Sequence, residues 1–87
     1  MYFVYAIKSV SVDRIYIGQT KNIENRLNDH NVGRVRSTKS DMPWELYALQ
    51  RVQNRKEAIT LEWKIKRSRC ARFRWLEMDK VKMESTF

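Results

Sequence analysis

Cysteine is nearly absent from this chain, with Cys70 the single example. A lone thiol closes no internal disulfide, and no second thiol stands near it to begin a zinc site. No His or Asp neighbours it to suggest an activated nucleophile, so Cys70 reads as a small residue near the start of a helix. This usage suits a reducing cytoplasm, the expected location. Glycine occurs only twice, as Gly18 and Gly33. There is no phosphate-cradling Gly-rich loop and no Gly-flanked serine, which leaves kinase, dinucleotide-binding and serine-hydrolase chemistry without support. The longest apolar run, Tyr2 to Ile7, is far shorter than the ~18 residues of a spanning helix and has no basic segment before it. Neither membrane insertion nor secretion is indicated, and there is no internal repeat or low-complexity segment.

What is present is charge. Eighteen Lys plus Arg against ten Asp plus Glu give a formal net charge of +8 over 87 residues. Such an excess favours phosphate-rich partners through long-range attraction and counterion release, although a basic surface also serves solubility. A chain this short has room for one core and removes roughly 60–65% of its unfolded surface from water. A single domain is expected over residues 1–80, with 81–87 as a C-terminal tail. Strongly apolar positions must then serve the core, and Trp44, Trp63 and Trp75 are expected there.

Aromatic and branched residues from Tyr2 to Ser9 suit a pleated surface, and a second strand is expected at Arg14 to Thr20. The short connection between them makes an antiparallel hairpin. Asn22 can cap a helix running to about Asn31, with Ile23 and Leu27 inward and Gly33 beyond its end. Residues 32–43 lack periodicity and read as a long exposed loop. Trp44 to Val52 is expected to be a third strand, with Trp44, Leu46 and Ala48 alternating against Tyr47 and Leu49. Asn54 stands three residues before Glu57, the spacing of a reciprocal cap, ahead of a helix to about Arg67. A last helix, packing through Phe73 and Leu76, is expected to reach about Lys80. The fold class is therefore α/β of the α+β type: a small three-stranded antiparallel sheet flanked by about three helices.

On the helix from Arg55, the positions Ala58, Leu61, Glu62 and Ile65 form a core-facing stripe that Glu62 interrupts. A carboxylate there must be neutral, paired with a base at the edge of the core, or bound to a cation at a cleft. Asn22, Arg26 and His30 repeat every four residues as one polar ridge on the first helix. Any surface helix looks this way, but a ridge facing a cleft offers Arg26 to a phosphate oxygen and His30 to a proton. Tyr5 and Tyr16 share a sheet face if residues of opposite parity pair, which gives either ordinary aromatic packing or two adjacent phenols. Lys66, Arg67, Arg69, Arg72 and Arg74 interleave with aromatics, and Arg34, Arg36 and Lys39 lie in the long loop. These basic residues are candidates for a nucleic-acid backbone rather than a purely solubilising surface.

In order along the chain, Phe3-Val4-Tyr5, Tyr16-Ile17-Gly18, Arg26 with His30, Asn31 and Gly33, Pro43-Trp44-Glu45-Leu46 and then Glu62 resemble the GIY-YIG nuclease superfamily. Each piece is weak alone; their order carries the resemblance, which covers residues 2 to about 76. The overall look is similar to stand-alone, single-domain bacterial members and to the nuclease domain of the excision-repair incision subunit. The resemblance implies a metal-dependent endonuclease acting on nucleic acid, DNA first, and leaving a 5′-phosphate and a 3′-hydroxyl. DNA repair or recombination is the setting it suggests, with targeting by a partner protein or a dimer. It implies that Glu62 holds one Mg²⁺ or Mn²⁺, that Tyr5, Tyr16 or both position or deprotonate the attacking water, that Arg26 stabilises transition-state charge, and that His30 relays a proton. Three departures stand out: the first tripeptide is Phe-Val-Tyr, no asparagine follows Asn54, and no recognition domain is expected. The alternative is a catalytically silent nucleic-acid-binding module with the same fold.

Overall fold

The structure is a computed structural model, and it describes residues 1–79. The expected end of the last helix near Lys80 and the tail over 81–87 lie outside the described residues. Three strands, β1 (Tyr2–Ser9), β2 (Ile15–Thr20) and β3 (Trp44–Val52), form one antiparallel sheet in the order β2-β1-β3. The helices are α1 (Ile23–Asn31), α2 (Arg55–Arg67) and α3 (Arg69–Met78). No helix among the described residues is long and apolar enough to cross a membrane.

Local chemistry sets the element ends. The side chain of Asn22 accepts the Asn25 amide at 3.0 Å to start α1, and Gly33, at φ 83, takes the left-handed turn just beyond its end. The cap of α2 is reciprocal with a one-residue offset: Asn54 accepts from the Glu57 amide at 2.9 Å, while Glu57 accepts from the Gln53 amide at 2.9 Å. At the β1–β2 turn the Ser9 hydroxyl oxygen accepts from the amides of Ser11 and Val12, and the hydroxyl donates to the Asp41 carbonyl at 2.8 Å. That one side chain closes the hairpin and ties it to the segment after α1.

The sheet is buried on both faces. Val4, Ala6, Ile17 and Ala48 pack with Ala58, Ile65, Trp75 and Leu76, so α2 and α3 cover one face. Tyr5, Ile7 and Trp44 pack with Tyr16, Ile23, Leu27, Leu46 and Leu49 on the other, under α1. Strict alternation along β3 does not hold. Trp44, Leu46 and Leu49 lie together on the α1 face, because the β1–β3 register shifts between Ala6 and Ile7. Ala6 pairs with Ala48 and Ile7 with Leu46, so Tyr47 is the extra residue of a bulge and the face assignment changes there.

Three further expectations are corrected. Residues 32–43 are not wholly exposed: Lys39–Asp41 forms a 3-10 turn, and Thr38 before it is fully buried. Leu76 packs as expected, but Phe73 is 66% exposed and Trp75 takes its place in the contact of α3 with the core. Trp44 and Trp75 are buried, but Trp63 is 58% exposed, because α2 faces the sheet with Ala58 and Ile65, a direction about 100° per residue from position 63.

Asn31, the last residue of α1, clamps the start of β3. It donates to the Trp44 carbonyl at 2.9 Å and accepts from the Trp44 amide at 2.6 Å. Removing it strands both backbone groups, so Asn31→Ala is expected to lower unfolding free energy by roughly 1–3 kcal/mol in denaturant titration.

Candidate active site

The register decides which side chains meet. Tyr5 pairs with Gly18 and Ile7 with Tyr16, a pairing of opposite parity, so both phenols lie on the α1 face. Gly18 leaves the room that Tyr5 occupies. A Cβ there would stand 2.8 Å from the Tyr5 Oη and 3.2 Å from the Tyr16 Cε2.

Across from the rings, α1 delivers His30, which is fully buried rather than part of a solvated ridge. Its Nε2 lies 2.8 Å from the Tyr5 Oη and its Nδ1 lies 2.8 Å from the Thr38 Oγ1. The Thr38 hydroxyl has one proton and donates it to the Val35 carbonyl at 3.3 Å, so its oxygen accepts from the Nδ1–H of His30. A neutral imidazole then has a lone pair on Nε2, and the Tyr5 O–H donates to it. The Tyr16 ring meets the same imidazole edge-on, centroids 5.1 Å apart.

Burial sets the protonation of this chain. It pushes the Tyr5 phenol up to about 12, against an opposing hydrogen-bonding and electrostatic pull from Arg26, with smaller upward contributions from Tyr16 and Glu62. Burial, helped by the Arg26 charge, pushes His30 down to about 4. At neutral pH the proton therefore rests on Tyr5 and the imidazole is uncharged. Arg26 itself is half-buried, 3.9 Å from Asp29. Tyr5 is sealed from solvent at 1% exposure, whereas Tyr16 is only half-buried.

Glu62 reaches this cluster from the other side. It stands on α2, which covers the opposite face of the sheet, and comes to the phenols around the edge of β2. Lys66 makes the link, with Nζ 2.7 Å from the Glu62 Oε2 and 5.9 Å from the centroid of the Tyr16 ring. A base paired with Glu62 at the core edge was one of the accounts left open by the sequence, and that pair exists. Glu62 lines a small depression with Lys66, and Lys66 also lines a larger groove. This groove of about 600 Å³ runs from Tyr16 and Lys66 along β2 to Arg72 and Arg14. No group of three His, Cys, Asp or Glu side chains gathers among the described residues. A cation here would take Glu62 as its protein ligand and complete its shell from water and phosphate oxygens, a donor set that suits Mg²⁺ or Mn²⁺. Lys66 would first have to release the carboxylate.

The basic candidates divide. Lys66 and Arg72 line the groove beside Tyr16. Arg69 and Arg74 line a separate depression with Cys70 and Phe73. Arg67 lies over the Trp63 ring at 4.7 Å. Arg34 pairs with Asp29 at 3.0 Å, Arg36 is exposed, and the Lys39 side chain covers Gly33. Sequence reasoning passed over Thr38, quoted Gly18 only as part of Tyr16-Ile17-Gly18, and placed Lys66 only on the phosphate path. A buried imidazole needs two partners, which is a signal for a second hydroxyl, but nothing in an aperiodic loop marks Thr38 as that partner.

A family model described as the GIY-YIG catalytic domain matches residues 1–75. Comparison with curated protein sequences finds no match to this chain.

Two outcomes follow from the geometry. Gly18→Ala pushes a methyl into the Tyr5 phenol, and a loss of roughly 1–3 kcal/mol on chemical denaturation is expected from overpacking. For His30, the folded value of about 4 lies below the ordinary 6.5. Its contribution to stability is complete above pH 6.5 and is lost as pH falls toward 4, because the unfolded chain takes the proton first. Stability measured across that window should fall by up to about 3 kcal/mol more in wild type than in His30→Gln, with no further difference below pH 4.

Proposed function

The chain belongs to the GIY-YIG family, whose catalytic domain is a nuclease, and we propose that this member is a metal-dependent endonuclease that hydrolyses DNA phosphodiesters to 5′-phosphate and 3′-hydroxyl ends. The observation that carries this reading is the buried Tyr5–His30–Thr38 chain, fully hydrogen-bonded, lying beneath a half-buried arginine and a half-buried phenol. Burying an imidazole and a phenol together costs stability relative to apolar side chains, and the arrangement fixes the direction of every proton in it.

The roles follow from exposure and charge. Tyr16, half-buried and lining the groove, orients the attacking water. Arg26 binds the non-bridging oxygens of the phosphate as charge builds on them, in a site where a fixed donor is worth more than in water. Tyr5 keeps its proton and holds the Arg26 guanidinium and His30 in place; His30, uncharged, sets the direction of the Tyr5 hydroxyl. Water attacks phosphorus in line with the departing 3′ oxygen and gives up one proton to solvent as its O–P bond forms; the P–O3′ bond breaks and the 3′ oxygen takes a proton from solvent. Glu62 would hold Mg²⁺ or Mn²⁺, which when bound supplies positive charge to the phosphate and leaving oxygens. Lys66 and Arg72 seat the strand along β2.

The Glu62–Lys66 ion pair favours one other reading, a nucleic-acid-binding module of the same fold that does not turn over. Supercoiled plasmid separates the two. Wild type with Mg²⁺ or Mn²⁺ should nick it, while Glu62→Gln and Arg26→Ala should lose about 10²–10³-fold in rate. Both variants should keep the wild-type gel shift. Glu62→Gln should change stability by less than about 1 kcal/mol, as expected for a partly exposed pair. A gel shift with no nicking in all three proteins supports the silent module. Arg72→Ala should weaken binding evenly across sequences and flatten the plot of log affinity against log salt by about one unit.

A further inference from the structure

Trp63 is an anomaly that the nuclease reading leaves unused. It is 58% exposed in a chain whose other two tryptophans are buried. Ile59, one turn before it, is 48% exposed. Together with Gln19, Glu62 and Lys66 these two side chains line a depression of about 300 Å³. The Arg67 guanidinium lies over the indole at 4.7 Å, a cation–π contact that polarises and orients the ring. Gln19 contributes a carboxamide, both donor and acceptor, with no hydrogen-bond partner among the described residues. A broad apolar ring, a branched side chain, a free amide and two cations beside the carboxylate of the candidate site form one continuous surface.

We propose that Trp63, Ile59 and Gln19 form a seat for one unpaired nucleobase adjoining the candidate site at Glu62, so that the enzyme acts on strands whose base at the cut is unstacked. This rests on the nuclease reading for the phosphate and adds to it the class of substrate. The chemistry of the seat matches a nucleobase on each count: the indole stacks on a π-face, the amide meets a base edge, and Lys66 and Arg67 meet the flanking phosphates. Sequence-tolerant stacking is expected, because every base has such a face. Trp63 and Glu62 line the same depression, so a base lying on the indole belongs to a nucleotide next to the one that is cut. A base paired and stacked within a duplex cannot lie there; it must be single-stranded, mismatched or extruded. A second copy of this chain, docking through Trp63 and Ile59, is the competing occupant.

The test measures binding without cutting. Fluorescence anisotropy of the full chain in EDTA compares oligothymidylate with an abasic strand of equal length and phosphate number. Wild type should bind the strand with bases about tenfold tighter or more, and Trp63→Ala should bind both strands equally. Trp63→Phe should recover a preference, and thermal unfolding of both variants should match wild type because the side chain is exposed. Equal affinity of wild type for the two strands overturns the proposal, as does a preference that survives Trp63→Ala. Sedimentation showing a wild-type dimer that Trp63→Ala dissociates, with no base preference, assigns the surface to a second copy and overturns it as well. A base preference in a protein that cuts nothing sinks the nuclease reading and leaves the seat standing; cutting without base preference does the reverse.

Discussion

The deepest polar contacts on the α1 face of this molecule converge on the imidazole of His30. It has no solvent, so both ring nitrogens must be satisfied from within, and they are: one by Tyr5 from the central strand, the other by Thr38 from the segment after α1. The requirement couples three distant pieces of chain. The Trp44 indole also donates to the Thr38 carbonyl at 2.9 Å, and Asn31 grips the Trp44 backbone. Helix, segment and third strand are thus held by polar contacts that are mutually dependent, and each is buried or half-buried, where a broken partner costs most.

The consequence for chemistry is a division of labour by depth. Tyr5 and His30 lie at the bottom, where burial keeps the phenol protonated and the imidazole neutral. Arg26, Tyr16 and Lys66 stand above them with part of each side chain in solvent. In the proposed mechanism the buried groups orient and the partly exposed ones touch the strand, so the two tasks do not compete for the same atoms. Glu62 and Lys66 complete the arrangement from α2, so the proposed site is assembled across the edge of β2 rather than on one face of the sheet.

Much of this was legible in the residues. The order of the tyrosine motifs, Arg26 and Glu62 identified the family, and turn chemistry at Asn22, Gly33 and Asn54 located the helix ends within a residue or two. The parity condition on Tyr5 and Tyr16 could be stated beforehand, but only the register answers it. The misses have physical causes. Alternation along β3 breaks because a bulge at Tyr47 resets the faces, and no residue type announces a bulge there. Thr38 was assigned to an exposed loop because polar, aperiodic sequence normally is one; its burial is dictated by a hydrogen bond to a residue of α1. Trp63 was expected in the core on grounds of size, yet the α2 stripe that meets the sheet leaves it outside. The basic residues were read as one path, whereas Arg72 lines the groove beside β2 and Arg69 and Arg74 line a separate depression.

The offset of Glu62 from the phenols has a mechanical meaning. Tyr5, Tyr16 and Arg26 are carried by one hydrophobic cluster and Glu62 by the other, with the thickness of a single edge strand between them. Their alignment is therefore a property of how two separately packed layers grip the same sheet, and rate depends on alignment far more steeply than folding does. A slight slip of α2 along β2, too small to expose any core, would leave a protein that is folded, binds its strand and has lost its tuning.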